Sequence, residues 1–118
     1  MIEGLWTAVF SSGSIAGAGV IYLTDGEALG GDNQYFYKGP YTFDARTGQL
    51  SANLQVTAFV KGAIAVFGAP ISSFTLNLRG TVTGDSATVI GTVSEMPSMR
   101  IQIQLVKRAG RVNPRGGA

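Results

Sequence analysis

No cysteine and no histidine occur in these 118 residues. Without cysteine there is no disulfide and no thiol chemistry. Without histidine the chain lacks the commonest general base near neutral pH and the commonest metal ligand. Ser-His-Asp and Cys-His catalysis are thereby excluded, and a structural zinc centre nearly so. Acids are few: Glu3, Asp25, Glu27, Asp32, Asp44, Asp85 and Glu95. All but Glu3 fall in or beside segments with turn chemistry. Asp25 and Glu27 flank an Asp-Gly turn in water, where neither carboxyl is tuned for proton transfer. The phosphate-cradling Gly-x-x-x-x-Gly-Lys-Ser/Thr pattern is absent. The chain therefore reads as a protein that is not an enzyme, with no metal and no cofactor. No apolar run approaches the ~18 residues of a membrane helix. The opening Met-Ile-Glu-Gly-Leu-Trp has no basic stretch leading into an apolar one, so neither a signal peptide nor a membrane partner is expected, and the address expected is cytoplasmic.

What is present is a beat of two. From Gln49 to Val60 apolar residues fall on almost every second position, and the pattern returns in Phe74-Thr-Leu-Asn-Leu and Ile101-Gln-Ile-Gln-Leu. Side chains of a strand alternate between its faces, so each such stretch is a strand with one dry and one wet side. The full reading is eight strands, over residues 4–11, 15–23, 27–31, 34–43, 49–60, 72–81, 86–94 and 99–107. Short turns join them, with Thr24-Asp25-Gly26 the clearest hairpin signal and residues 95–98 the last turn. Connections this short make a meander, and closing it removes aggregation-prone edges. The expected fold is all-β, an eight-stranded antiparallel up-and-down barrel of lipocalin-like form. A two-sheet sandwich is the alternative, but its crossovers need longer connections.

The net charge of +2 is carried by one end. Lys107, Arg108, Arg111 and Arg115 lie in the last twelve residues, which hold no acid, while residues 1–106 carry five basic and seven acidic groups. The reading is a single barrel domain over 1–107 and a basic, solvated tail over 108–118. That tail lacks the interleaved aromatics on which single strands stack, so nucleic acid is not expected as a partner.

Gly30-Gly-Asp-Asn-Gln-Tyr-Phe-Tyr-Lys-Gly-Pro-Tyr41, after an opening strand Gly-Leu-Trp-Thr-Ala-Val-Phe, resembles the GrlR-type family of negative regulators of type III secretion. Gly30, Gly31, Asp32, Tyr35, Tyr37, Gly39 and Tyr41 carry the match. The resemblance implies a small lipocalin-like barrel in bacteria that forms a homodimer and silences a transcriptional activator by binding it. In the characterised branch a run of four acids follows the fourth strand and engages the activator. Here the matching loop is Asp44-Ala45-Arg46-Thr47, with Asp44 beside Arg46, so the partner implied for that loop is a different one.

Other residues define candidate sites. Asp32 is read as closing an Asx-turn, with a ligand's polar head as the sharper reading. Tyr35, Tyr37, Tyr41 and Phe43 share one face of the fourth strand and Phe36 the other. Facing inward, with Trp6, Phe10 and Leu54, the tyrosines either line a pocket for an apolar or amphipathic ligand or fill the core. Ile64, Val66, Phe67 and Ile71 form an apolar group outside any strand period, read equally as a lid on the barrel or a dimer contact. Two function classes follow: a regulatory protein that sequesters a protein partner, and a small-molecule carrier.

Overall fold

A computed structural model describes residues 2–112. Eight antiparallel strands close into a barrel in which each pairs with its chain neighbours and the last returns to the first. They are β1 (Gly4–Ser12), β2 (Ile15–Thr24), β3 (Glu27–Gly31), β4 (Tyr35–Asp44), β5 (Gln49–Ala58), β6 (Ser73–Thr83), β7 (Ser86–Val93) and β8 (Met96–Gly110). Closure is made by β1 against β8, from Gly4↔Gly110 to Ser11↔Gln102. Asp25 and Gly26 both take positive φ, 50° and 79°, the geometry of the two-residue hairpin turn that Asp-Gly favours.

Several bounds differ from the sequence reading. β5 stops at Ala58, because beyond it the chain leaves β6 and crosses the barrel end. β8 begins at Met96, not at 99, and the turn before it is only Ser94-Glu95. Pro97 cannot donate to a ladder. The register steps there from Val93↔Met96 to Thr92↔Arg100, leaving Pro97–Met99 opposite no residue of β7. β8 also runs on past residue 107. Leu5 pairs with Ala109, and Arg108 Nε donates to Thr7 Oγ1 at 2.9 Å. Arg111 then bridges Glu3 at 3.3 Å and Asp25 at 3.0 Å. The basic segment expected from 108 onward is thus barrel wall up to Gly110. The rest of the expected tail, from 113, lies outside the described residues.

The core is the barrel interior. Trp6, Leu23, Ala28, Leu50, Val89 and the inward residues of β5 to β8 are buried, and among the described residues no polar or charged one is buried with them. Trp6 sits toward the end where the chain enters; its indole N–H donates to the Ile2 carbonyl at 2.8 Å, and Ile2 is itself buried. The opposite end is crossed by the β5–β6 connection, residues 59–72.

The barrel exterior is two-sided. Around β5 to β8 it carries uncharged polar side chains joined across strands, Asn53 to Asn77, Asn77 to Ser94 and Thr88 to Gln104, together with exposed Arg79, Ile90 and Arg100. Around β1 to β4 it presents Val9, Val20, Leu29 and Phe36 to solvent. Val20 and Phe36 flank Gly31, with which each is paired on its own side.

Candidate functional site

The inward face of β4 is the odd one. Tyr35 is buried and Tyr37, Tyr41 and Phe43 are half-buried, whereas Phe36 points outward and is 41% exposed. Tyr35 and Tyr37 line a cavity of about 80 Å³ in the lumen, with Phe10, Leu54, Ile103 and Asp32 among its other walls. Trp6 is not among them; it packs below as core. Tyr41 lies further toward the Trp6 end and is not part of the lining either. Above the cavity a wider mouth of about 450 Å³ opens between Ile15–Ala18 of β2, the turn Asp32–Gln34 and the lid residues Ile64 and Val66. Phe10, Asp32, Tyr35 and Val66 belong to both spaces.

Asp32 organises the rim. Its Oδ1 accepts the backbone N–H groups of Gln34, at 2.8 Å, and Tyr35, at 2.9 Å. This is the Asx-turn expected from Gly-Gly-Asp-Asn. Its Oδ2 accepts the hydroxyl of Tyr37 at 2.5 Å. The Tyr35 hydroxyl donates instead to the Ile71 carbonyl at 2.6 Å. Burial pushes the Tyr37 phenol well above its ordinary range, and the hydrogen bond and negative charge of Asp32 push it further the same way. Tyr35 is raised by burial and then by Asp32, and Tyr41 chiefly by burial. The phenols at the rim are therefore neutral donors, and both have their acceptors within the protein.

Two glycines of β2 make room for this arrangement. A Cβ on Gly17 would stand 2.6 Å from the Phe10 ring, and one on Gly19 would stand 2.7 Å from the Tyr37 hydroxyl. Of the motif glycines, Gly30 and Gly39 lie hard against the backbone of the neighbouring strands, at Val20 and Asn53, while Gly31 faces Tyr35 and Phe36.

The residue 59–72 segment lies across the barrel end as a lid, with Phe59, Val60 and Ile64 its exposed large apolar residues. Val66, Phe67 and Ile71 pack against the core, and Ala63 and Ala65 are buried. Phe67 meets Phe74 edge-on at 5.2 Å, and Phe74 meets Tyr35 in the same way at 5.8 Å. Ile64 alone of the four expected residues faces out, 52% exposed. Its backbone is gripped by Gln34, whose Oε1 accepts the Ile64 N–H at 2.9 Å and whose Nε2 donates to the Ile64 carbonyl at 3.4 Å. Gln34 is the residue that sequence reasoning missed. Its position just after the Asp32 turn, at the end where the aperiodic segment must cross, was the available signal.

The loop expected to meet a partner stands apart from this site. Asp44 and Arg46 are exposed at the other barrel end, where Asp44 Oδ1 accepts the Arg46 backbone N–H at 2.9 Å in an Asx-turn. Among the described residues no group of three acids is placed to hold a metal ion. Comparison with protein-family models and with curated proteins finds no match.

Proposed function

We propose that the protein is a non-enzymatic carrier whose lumen takes the apolar part of a small ligand, with the ligand's polar end in the mouth. The observation that supports this is the stacking of the two spaces. An apolar cavity of about 80 Å³ lies directly under a mouth of about 450 Å³ that has Asp32, Asn33 and Gln34 on its wall. Binding sites are mostly apolar clefts of roughly 300–1,000 Å³ with a few oriented polar groups, a size the mouth meets. The lumen has about half the ~150 Å³ of a cavity that takes a benzene ring, which suits a chain rather than a ring. The test is methyl NMR of the full chain titrated with 1-hexanol. Signals of Ala8, Leu54, Val56 and Ile103 shift on binding, and the Leu54→Trp variant, its lumen filled, loses the response. Lumen methyls that stay still at saturating hexanol would remove this reading.

A second reading, regulation by binding a protein, is favoured by a different observation. Val9, Val20, Leu29 and Phe36 lie exposed over adjoining strands, and Phe59 extends the patch beside Gln34, with which its backbone pairs at 3.0 Å. In this reading the face is used in a homodimer or against a transcription regulator, in keeping with the GrlR-type resemblance. Light scattering on the wild type and on Val20→Glu distinguishes the cases: a dimer that the variant splits supports it, and a monomer in both leaves only the regulator arm, tested by pull-down.

A further inference from the structure

Resting on the carrier reading, we infer that the ligand is a slender amphiphile with an unbranched apolar tail and a protonated amine head, the head seated against Asp32. The inference comes from an inventory of what the rim still offers. An ionised carboxyl has about four lone-pair positions. Three at Asp32 are filled, by the N–H groups of Gln34 and Tyr35 and by the hydroxyl of Tyr37. One acceptor position is left, on the wall common to lumen and mouth.

The two phenols at the rim and one N–H of the Gln34 amide are already committed as donors. Tyr37 donates to Asp32, Tyr35 to Ile71, and the Gln34 amide to Ile64. Their oxygens remain as acceptors. Asn33, exposed at the edge, is the one lining amide that makes no side-chain hydrogen bond among the described residues, and it is neutral. Among the described residues no lysine or arginine lines either space. A head group entering here therefore meets a negative charge, open acceptors and, as donors, only the neutral amides of Asn33 and Gln34. An ammonium group supplies up to three donors and the opposite charge. A fatty-acid carboxylate would find no cation and would face a like charge across a partly desolvated gap, where charge pairs act more strongly than in water.

The tail follows from shape. Phe10, lying over Gly17, forms part of the boundary between mouth and lumen. Beyond it the lining is aliphatic and aromatic throughout, with Leu76, Leu78, Ile101 and Leu105 opposite Tyr37.

Three probes of equal length, hexylamine, 1-hexanol and hexanoate, are titrated into the labelled full chain. Lumen methyls and the Gln34 and Tyr35 amides are followed by NMR. Hexylamine is expected to bind at least about tenfold more tightly than hexanoate. Asp32→Asn keeps the Oδ1 acceptor of the turn but not the charge, and brings the two within about threefold of each other. Should that variant not fold, Tyr37→Phe frees a second lone pair on the carboxylate and is expected to tighten hexylamine. Equal binding of hexylamine and hexanoate by the wild type, an amine preference that survives Asp32→Asn, or weaker hexylamine binding by Tyr37→Phe overturns the head-group assignment while hexanol binding still supports the carrier. If none of the three probes moves a lumen methyl, the carrier reading falls and takes this inference with it.

Discussion

Tyr37 donates its hydroxyl to Asp32 across the rim of the barrel at 2.5 Å, reaching over a β2 position that has no side chain. A methyl at Gly19 would stand 2.7 Å from both that hydroxyl and the Gly31 carbonyl, and the second of these is backbone and cannot swing aside. Gly19→Ala is therefore expected to destabilise the barrel by about 1–3 kcal/mol, the usual cost of overfilling a packed site. Urea unfolding of the two proteins measures it. A variant as stable as the wild type would mean that β2 and β3 separate freely here.

Asp32 holds the turn and the phenol together, so the kind of substitution matters. Asp32→Ala removes the acceptor of two backbone N–H groups and leaves the Tyr37 hydroxyl unpartnered, an expected loss of about 2–3 kcal/mol. Asp32→Asn retains an oxygen for the turn and is expected to lose less than half as much. Equal losses would show that the charge, not the turn, carries the stability.

Trp6 is buried and spends its one donor on Ile2. Trp6→Phe is expected to cost about 2–4 kcal/mol, from the gap left and the orphaned carbonyl. As the single tryptophan, it also gives a blue-shifted emission that moves red on unfolding. Red-shifted emission from the folded protein would place the indole in water.

Gln34 grips the lid at Ile64 by two hydrogen bonds. Each bond is worth about 0.5–1.5 kcal/mol net, so Gln34→Ala should speed hydrogen exchange of the Ile64 amide about three- to tenfold without moving the unfolding midpoint much. Unchanged exchange would assign the closure to Val66, Phe67 and Ile71 alone.

Two groups give stability a pH dependence whose sign can be worked out. Thr75 donates its backbone N–H, and more weakly its hydroxyl, to Glu95 and holds that carboxyl below its ordinary value of 4.5. A carboxyl whose folded value is depressed lends stability above its unfolded value and loses it as pH falls through the folded one. The stability gap between wild type and Glu95→Gln should therefore close below pH 4.5. Tyr37 works at the other end. Its folded value is raised, so its contribution is complete below 10.0 and fades above it, as the unfolded phenol ionises and the folded one does not. Wild-type stability should fall above pH 10.0, and the Tyr37→Phe variant should lack Tyr37's share of that fall. Denaturant midpoints across both ranges check the two signs.

How much of this was legible depended on whether the period of two survived. In β5 and β7 it does, and those strands lie where alternation puts them. In β2 it does not, because the inward positions 17 and 19 are glycines and the outward ones include Ala18, Val20 and Tyr22. Hydropathy alone inverts that strand, which hides the apolar outer face of β1 to β4. The inward face of β4 was equally hidden, since Tyr35 and Phe36 are alike to a pattern and only the Asp32 turn orients them. Asp32 itself was readable from its turn chemistry; its hold on Tyr37 was not, being a contact five residues away on the next strand. The end of β8 was obscured because Arg108 and Arg111 look like a solvated tail, while their partners Thr7, Glu3 and Asp25 lie far away in the chain.

The seal made by Ile2 and Trp6 turns the barrel into a cul-de-sac. On the carrier proposal, a guest that enters beside the 59–72 segment leaves by the same doorway, and its residence time would be set at that one end. A macromolecule resting on Ile64 and Phe59 would act as a stopper without touching the guest, and occupancy of the chamber would become a timer set by contacts on the outside.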